Sequence, residues 1–457
     1  MSLKVMCAIA MCKGLRTFSR MLHKGGTAMP GRYALKICPE LLEIVSRNVK
    51  TVAVTGTNGK TTSVRIVEEA FEKQGLKYFS NRSGANLISG ITTEFVLNCN
   101  LFGKNRCEYA VIECDEGAAK SVFPQMKPQV VMVTNLFSDQ LDRYGDVTHT
   151  LENIREALSK SPDTTMVLNA DCALTASLAQ SLDNRAMFYG INKGAAVSRE
   201  MSELADAKHC IRCGARYEYD YINYGHLGGY RCPKCGYSRV EPEYAVSDVI
   251  AQRADSSSIL MDIKGEKHLA EVNLPAMYNI YNAAGTVAAV AEMGLGLDAG
   301  LEAIANFKCG FGRMENFALG QKGAKMMLVK NPAGCNQVIE FLENIEEHFV
   351  LVIALNDRTG DGKDISWVWD ADFEKLKTMG GRLDKIIACG DRAWDMALRL
   401  KYAGIAEEYI QVQQDYEALV EELNALDKPA FLMPTYSAMM DMREAIVRRI
   451  GGDDFWE

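Results

Sequence analysis

Between Thr51 and Thr62 the chain reads Thr51-Val-Ala-Val-Thr55-Gly56-Thr57-Asn58-Gly59-Lys60-Thr61-Thr62, and the helical pattern Ser63-Val-Arg-Ile-Val-Glu-Glu-Ala-Phe71 follows. An apolar strand, a glycine turn and a helix start in that order make a phosphate cradle. Gly56 and Gly59 let the backbone approach a phosphate chain that a Cβ would hold off. The N–H groups of the turn (Thr57, Asn58) and of the helix start (Lys60, Thr61, Thr62) point at the anion. Lys60 brings a cation to the transferable phosphate, and Thr61 offers a hydroxyl to Mg²⁺. The common loop carries a further Gly ahead of its Gly-Lys-Ser/Thr; here that place is Val54, so the loop is a compact variant. A chance glycine turn is the alternative, and the strand together with Lys-Thr-Thr stands against it.

Further polar residues follow other apolar runs. Tyr109-Ala-Val-Ile-Glu113 reads as a buried strand whose last residue, Glu113, is placed to hold Mg²⁺ against the phosphates. Such a hard cation takes one or two carboxylates and keeps several waters. Asp115 and Glu116 are near enough to assist; the alternative for all three is a solvated acidic turn. Val130-Val-Met-Val-Thr134 is a second strand, and the polar loop after it offers Asn135, Asp139 and Asp142. Asn279 and Asn282 open a small-residue helix and either face the same cleft or cap that helix. Arg313, in a boundary loop over 310–315, would clamp a phosphate or a ribose, or is an ordinary surface arginine.

Cys210-Ile-Arg-Cys213 and Cys232-Pro-Lys-Cys235 form two knuckles with eighteen residues between them, each followed by a glycine, Gly214 and Gly236. This is the spacing of a four-thiolate zinc ribbon, a closed tetrahedral site that stabilises a fold and leaves no position open for catalysis. Disulfides, free thiols or a redox pair are the alternatives. The other ten of the fourteen cysteines are scattered through the chain, mostly in apolar stretches, where Cys behaves as a small hydrophobe, and a reducing cytosol is expected. None of the six histidines sits in a hydrolase pattern, and no Gly-x-Cys-x-Gly or Gly-x-Ser-x-Gly elbow is present. A glutaminase activity in this chain alone is therefore not expected.

The elements that must position these residues are those of an α/β protein. At 457 residues the chain is expected to form two or three domains. Net charge −8 argues against a nucleic-acid binder, and no apolar run reaches the ~18 residues of a membrane span. Residues 1–47 read as one or two helices, joined by the Gly/Pro segment 25–31, that pack on the next domain; a signal peptide is the alternative for the first twelve. Residues 48–311 alternate strand and helix, which predicts a mainly parallel sheet with helices on both faces and a ligand beyond the carboxyl ends of its strands. The Cys-, Gly- and Tyr-rich insert 205–245 interrupts that rhythm. Residues 312–457 form a second α/β domain, with strands over 325–329, 349–355 and 385–389 and a helix over 336–342.

The motifs Thr55-Gly-Thr-Asn-Gly-Lys-Thr61, Glu113, Val133-Thr-Asn135, Asp139-x-Leu-Asp142, Tyr278-Asn279-x-x-Asn282-Ala-Ala and Gly312-Arg-x-Glu315 occur in the order seen in Mur ligases. Those are ATP-dependent ligases of peptidoglycan synthesis, related to folylpolyglutamate synthases. The segments 29–36 and 139–145, the four-Cys insert and Asp361-Gly-Lys-Asp364-Ile-Ser-Trp-Val-Trp-Asp370 resemble, more narrowly, the ligase subunit of the branch that amidates lipid II. Together they span nearly the whole chain. The resemblance implies a Mur-type ATP-binding domain and a Rossmann-like C-terminal domain that binds a partner. It implies phosphorylation of the α-carboxylate of D-glutamate in the lipid II stem peptide, and attack of ammonia on the acyl phosphate to give D-isoglutamine. Lys60 and Glu113 would serve catalysis; ATP, Mg²⁺ and Zn²⁺ would be the cofactors. The ammonia would come from a GatD-like class I glutaminase in a heterodimer, whose Cys-His pair would borrow an aspartate from this chain, Asp364 first and Asp361 next; solvated loop acids are the alternative. The place of action would be the cytoplasmic face of the membrane.

Three departures bear on the branch. Gln140 and Tyr278 stand where amino-acid-adding relatives usually have His. Leu328-Val-Lys-Asn-Pro332 replaces a C-terminal Asp-Tyr-Ala-His-Asn-Pro motif. Lys160, the nearest lysine beyond the Asp-x-Leu-Asp loop, lacks the context of a carbamylated lysine. A ligase that accepts ammonia fits these changes. A ligase that adds an amino acid and a non-catalytic nucleotide-binding scaffold are the alternatives.

Overall fold

A computed structural model describes residues 2–21, 27–81, 85–137, 147–196, 207–253, 255–307, 313–358 and 360–451. They divide into two compact units, one through Phe307 and one beyond it. The first unit opens with α1 (Leu3–Met21), α2 (Met29–Ile37) and α3 (Leu41–Ser46), three helices where the sequence predicts one or two. The extra helix, α2, starts inside the Gly/Pro segment expected to be a joint. Pro30 falls in its first turn, where a missing N–H breaks no helical bond. Gly31 then lets α2 lie against α5 (Ile88–Asn98): its N–H donates to Thr93 Oγ1 at 2.9 Å, and a Cβ there would come within 1.9 Å of the Ser89 carbonyl oxygen.

The strands of this unit are β1 (Lys50–Thr55), β2 (Tyr78–Ser80), β3 (Tyr109–Glu113), β4 (Val130–Val133), β5 (Thr165–Asn169), β6 (Ala186–Ile191), the hairpin β7 (Glu218–Tyr224) and β8 (Leu227–Arg231), then β9 (Tyr244–Gln252), β10 (Ser257–Ile263) and β11 (Glu266–Val272). Nine of them form one sheet in the order β11-β10-β9-β6-β5-β4-β1-β3-β2. From β2 to β9 all neighbours are parallel. The central strands are buried on both faces, as their continuous Val/Ile/Ala runs require. The antiparallel pairs β9–β10 and β10–β11 add an edge that the sequence reading did not predict. Its signal is the burial alternation of β9 from Ser247 onward, typical of a strand with one wet face. Strand β1 lies between β3 and β4, so the chain leaves it on one side and returns on the other; the crevice at their carboxyl ends is where such sheets take ligands.

The second unit is a sheet of β12 (Arg313–Phe317), β13 (Ala324–Met327), β14 (Phe349–Ala354), β15 (Leu383–Cys389), β16 (Ile410–Val412) and β17 (Ala430–Pro434), ordered β12-β13-β17-β14-β15-β16. All its pairs are parallel except β12–β13. The residues from 313 onward, expected in a boundary loop, are therefore an edge strand. Buried Arg443 holds it through a 3.0 Å bond to Glu315 Oε1. Leu328-Val-Lys-Asn-Pro332 leads into a helix, Pro332–Glu343: Asn331 accepts from Gly334 N at 2.8 Å and Pro332 takes the first position.

Candidate functional site: a phosphate loop and a four-thiol hairpin

The loop leaves β1 at Thr55 and enters α4 (Lys60–Lys73). Gly56 and Gly59 have φ of 116° and 87°, values that other residues rarely adopt. The protein itself crowds both positions. A Cβ on Gly56 would lie 2.4 Å from Thr134 Oγ1, and one on Gly59 would lie 2.1 Å from Asn282 Oδ1. These glycines therefore serve packing within the protein as well as approach to a phosphate. Asn135, just past β4, holds the loop backbone: its Oδ1 accepts from Asn58 N at 3.0 Å, its Nδ2 donates to Asn58 O at 3.2 Å, and its carbonyl accepts from Thr57 N at 2.8 Å. The Thr57 hydroxyl and Phe137 bond reciprocally, Oγ1 donating to the carbonyl at 3.1 Å and accepting from the N–H at 3.0 Å.

Lys60 is buried. Its ammonium donates to Glu116 Oε2 at 2.9 Å, to Thr57 O at 3.2 Å and to Gly56 O. Burial opposes the charge, but the carboxylates of Glu116, Glu113 and Asp115 more than offset it and raise the pKa above the ordinary lysine value. Thr61 Oγ1 donates to Glu113 Oε2 at 2.7 Å, and Asn86 Nδ2 to Glu113 Oε1 at 3.2 Å. Asn81 clamps the Glu113 backbone, accepting from its N–H at 2.9 Å and donating to its carbonyl at 2.8 Å. Asp115 Oδ1 accepts from Gly117 N at 3.0 Å. The three acids are buried and do different things: Glu113 meets the loop hydroxyl, Glu116 meets the loop lysine, and Asp115 shapes its own turn. Their burial excludes the solvated acidic turn that was the alternative. Asn81, Asn86 and Phe137 were not singled out from the sequence, because nothing in their local spacing marks them.

Asn279 and Asn282 lie inside the first turns of the helix Met277–Glu292, whose N-cap is Ala276. Asn279 Nδ2 donates to Pro275 O at 2.7 Å, and Asn282 Nδ2 to Asn279 Oδ1 at 3.3 Å. Neither caps the helix, and Asn282 abuts Gly59. Thr62 is buried on α4. Asp139, Gln140, Asp142, Gly310 and Gly312 lie outside the described residues, as does the side chain of Arg313. Lys160 is at the surface, 2.7 Å from Glu156.

Around the hairpin β7–β8, the sulfurs of Cys210, Cys213, Cys232 and Cys235 all lie within 4.8 Å of one another. Cys210 to Cys235 and Cys213 to Cys232 are each 3.5 Å, beyond the ~2.05 Å of a disulfide. Burial pushes the Cys232 thiol up, but the backbone N–H groups of Cys235 and Lys234 outweigh it and bring it down to about 6. Tyr217, Tyr230 and Tyr237 pack beneath the knuckles. Two routes join this module to the loop. Arg239 binds buried Asp171 at 2.6 Å, and Asp171 accepts from Tyr281 OH at 2.5 Å on the helix that carries Asn282. Closer to the loop, Tyr224 stacks on Phe137 with ring centroids 5.6 Å apart, and His226 packs on the same ring at 4.6 Å.

In the second unit Asp361 is buried. Its Oδ1 accepts from Ser437 N at 2.7 Å, and its Oδ2 from the Ser437 hydroxyl and from Arg358 N at 3.2 Å. Asp364 is exposed, and a 2.8 Å bond from Ser366 N holds its carboxyl below the usual aspartate value.

A phosphate loop on an inner strand of a mainly parallel sheet, with an acid at the end of the adjoining strand, is the arrangement of a nucleotide-binding enzyme of the phosphate-loop class. The family pattern described as Mur ligase middle domain matches residues 54–290, and that described as MurT ligase C-terminal matches residues 328–439. The chain is 32% identical over 97% of its length to the lipid II isoglutaminyl synthase (glutamine-hydrolyzing) subunit MurT of Staphylococcus aureus (strain COL), covering 98% of that protein. It is 31% identical to the subunit of the same name from Streptococcus pneumoniae (strain ATCC BAA-255 / R6), with 93% of each chain covered. The fold is similar to that of a pseudomurein peptide ligase type C from Methanothermus fervidus (TM-score 0.65, 20% identity, 92% of this chain and 84% of that one) and of MurF from Acinetobacter baumannii (TM-score 0.66, 14% identity, 92% and 81%). The chain belongs to the Mur ligase family, in its MurT branch.

Proposed function

We propose that this chain is the ligase subunit of a glutamine-dependent lipid II isoglutaminyl synthase of peptidoglycan synthesis. The α-carboxylate of D-glutamate in the lipid II stem peptide takes the terminal phosphoryl group of ATP, releasing ADP. Ammonia then attacks the acyl carbon, phosphate leaves, and the amide of D-isoglutamine remains after loss of a proton. The observation that carries the reading is the pairing at the loop, Thr61 on Glu113 at 2.7 Å and Lys60 on Glu116 at 2.9 Å, at the ends of adjoining parallel strands. Phosphoryl transfer needs mainly positioning and charge neutralisation. The backbone of Gly56 to Thr62 cradles the phosphates, with Lys60 as the fixed cation. Asn135 keeps the loop in register, and Asn279 and Asn282 support it at Gly59. The hydroxyl of Thr61 and the carboxylate of Glu113 are the hard oxygen donors that suit Mg²⁺, which would neutralise phosphate charge when bound.

Four thiolates around Zn²⁺ would sit about 3.8 Å apart, given a Zn–S distance near 2.3 Å. The 3.5 Å cross-pairs among Cys210, Cys213, Cys232 and Cys235 are close to that. We read the ion as a structural clip on the hairpin. The names of the relatives call for glutamine hydrolysis, and the chain has no nucleophile elbow, so a GatD-like class I glutaminase supplies the ammonia. Exposed Asp364 suits the role of an aspartate lent to that partner better than Asp361, which is committed to Ser437 and Arg358. In this reading residues 48–311 carry the ATP site, residues 1–47 support it, residues 312–457 meet the partner, and the enzyme works at the cytoplasmic face of the membrane.

The test is ATP turnover by the purified chain with lipid II and ammonium and no partner, with the product read by mass spectrometry. Gain of one amide is expected. Turnover only with an added amino acid would sink the proposal in favour of an amino-acid-adding ligase. Lys60→Ala should abolish turnover with zinc content unchanged, and surviving activity would refute the loop assignment.

A further inference from the structure

In a chain of net charge −8, residues 3–39 contain no Asp or Glu. The helices they form are unusual on their outer side. α1 buries Val5, Ala8, Ile9, Cys12 and Ser19 against the unit, as an amphipathic helix should. Its opposite face, where a helix bathed only in water carries polar groups, presents Leu3, Cys7, Ala10, Gly14, Phe18 and Met21, with Thr17 the polar residue on it. Leu3, Phe18 and Met21 are 76%, 59% and 75% exposed. Lys4 and Arg20 stand exposed at its margins. α2 packs beside it and shows solvent one stripe, Met29, Arg32, Tyr33 and Lys36, with the Lys36 ammonium 5.3 Å over the Tyr33 ring. A third element adds the same chemistry. The turn after α5 exposes Leu101, Phe102, Lys104 and Arg106, and Lys13 of α1 ties it in by donating to the Cys99 carbonyl. The acids beside these elements are Glu40, 3.5 Å from Lys4, half-buried Glu94, which faces Arg16 and Arg20, Glu43, which pairs with Arg47, and exposed Glu108.

We infer that this face of the first unit, built from α1, α2 and the 101–106 turn, docks on the surface of an anionic phospholipid bilayer. Aromatic and Met side chains flanked by Lys and Arg are the composition of an element lying in the headgroup layer, with apolar tips in the acyl boundary and basic groups on the phosphates. Each basic residue near such a surface contributes about 1 kcal/mol, a factor of about five in binding. A second copy of the chain is a poor occupant, because joining two such faces brings like charges together. The docking stands on these side chains and not on the catalytic reading. Only its consequence, that the ATP site is brought to the layer where lipid-linked substrates lie, rests on that reading.

Vesicle flotation of the purified full chain tests this, with vesicles of phosphatidylcholine alone and of phosphatidylcholine mixed with phosphatidylglycerol. Binding is expected to the mixed vesicles and to fall steeply with salt. Arg32→Gln with Lys36→Gln should lower the bound fraction about tenfold or more. Phe18→Ser with Met21→Ser, both at exposed positions, should lower it with the fold retained by circular dichroism. Equal binding to both vesicle types, or parent-like binding by both variants, overturns the inference. So does a concentration-dependent dimer that Phe18→Ser with Met21→Ser abolishes, since a second copy would then cover this face. The vesicles contain no muropeptide, so failure here leaves the ligase proposal standing, and failure of the turnover assay leaves this one.

Discussion

Lys60 is a buried ammonium whose charge depends on carboxylates at and just past the end of β3, Glu116 above all. Glu116→Gln keeps the shape and an acceptor but removes the counter-charge. Glu113 and Asp115 remain, so the loss should be smaller than for an isolated buried pair, about 1–3 kcal/mol in denaturant unfolding without nucleotide. ATP turnover should fall with it, and unchanged stability would show that Glu116 is not the main partner. Gly59→Ala is a sharper probe. It puts a Cβ where φ is 87° and where Asn282 Oδ1 would be 2.1 Å away. The left-handed conformation alone costs about 1–2 kcal/mol for an L-residue. Calorimetry should show ATP affinity lost while four-thiol metal content is kept.

The hairpin β7–β8 belongs to an insert, yet its tip is part of the loop's support. Tyr224 and His226 pack on Phe137, and Phe137 is bonded both ways to Thr57. Shortening this ring should let the loop drift, and displacements near an ångström cost reactive sites heavily. Phe137→Ala is expected to raise KM for ATP about tenfold with metal content unchanged. With Zn²⁺ held by the four thiols as proposed, a chelator should raise it at least as much. An unchanged KM in both would mean that the insert is only a clip. The loop, the thiol knuckles and the end of β3 were legible in the sequence because each is a local pattern of spacing and backbone type. The division of labour among Glu113, Asp115 and Glu116 was not, because it depends on partners far along the chain: Lys60 and Glu116 are 56 residues apart, Thr57 and Phe137 80. The edge strands β9–β11 went unpredicted because they lie next to the insert, where the strand–helix alternation is lost.

Protons bear on both units through paired carboxylates. In the second, Arg358 holds Asp391 and Arg392 holds Asp395 below the ordinary aspartate value of 3.8; for Asp384, burial works the other way but Lys428 and His348 prevail. Such acids bind protons less readily folded than unfolded. The stability they contribute is present above that value and lost as pH falls through their depressed folded values. In the first unit Lys120 and Lys160 hold Glu156 below the usual carboxylate range, and at Glu292 burial is outweighed by Tyr244 and Lys264, with the same sign; burial raises Asp171 and Glu94, so these two favour the folded state on acidification, the opposite sign. All four tryptophans lie beyond residue 307. On acidification below about pH 4, the thermal midpoint read by tryptophan fluorescence, which reports on the second unit, should therefore fall. A midpoint unchanged over that range would contradict the assignment.

By itself the sequence determined the chemistry on offer: a compact phosphate loop with Lys60 and Thr61, an acid at the end of a buried strand, and four thiols at ribbon spacing. Those features are set by neighbours along the chain, where backbone conformation and side-chain period are encoded. Only the tertiary structure decided which acid faces Thr61 and which faces Lys60, that Asp361 is bound within its own unit while Asp364 is exposed, and that the ribbon tip reaches the loop. These depend on strand order and on side chains meeting across the sheet. Burial then makes each polar partner matter, because a charge or hydroxyl removed from water must find its complement in the protein.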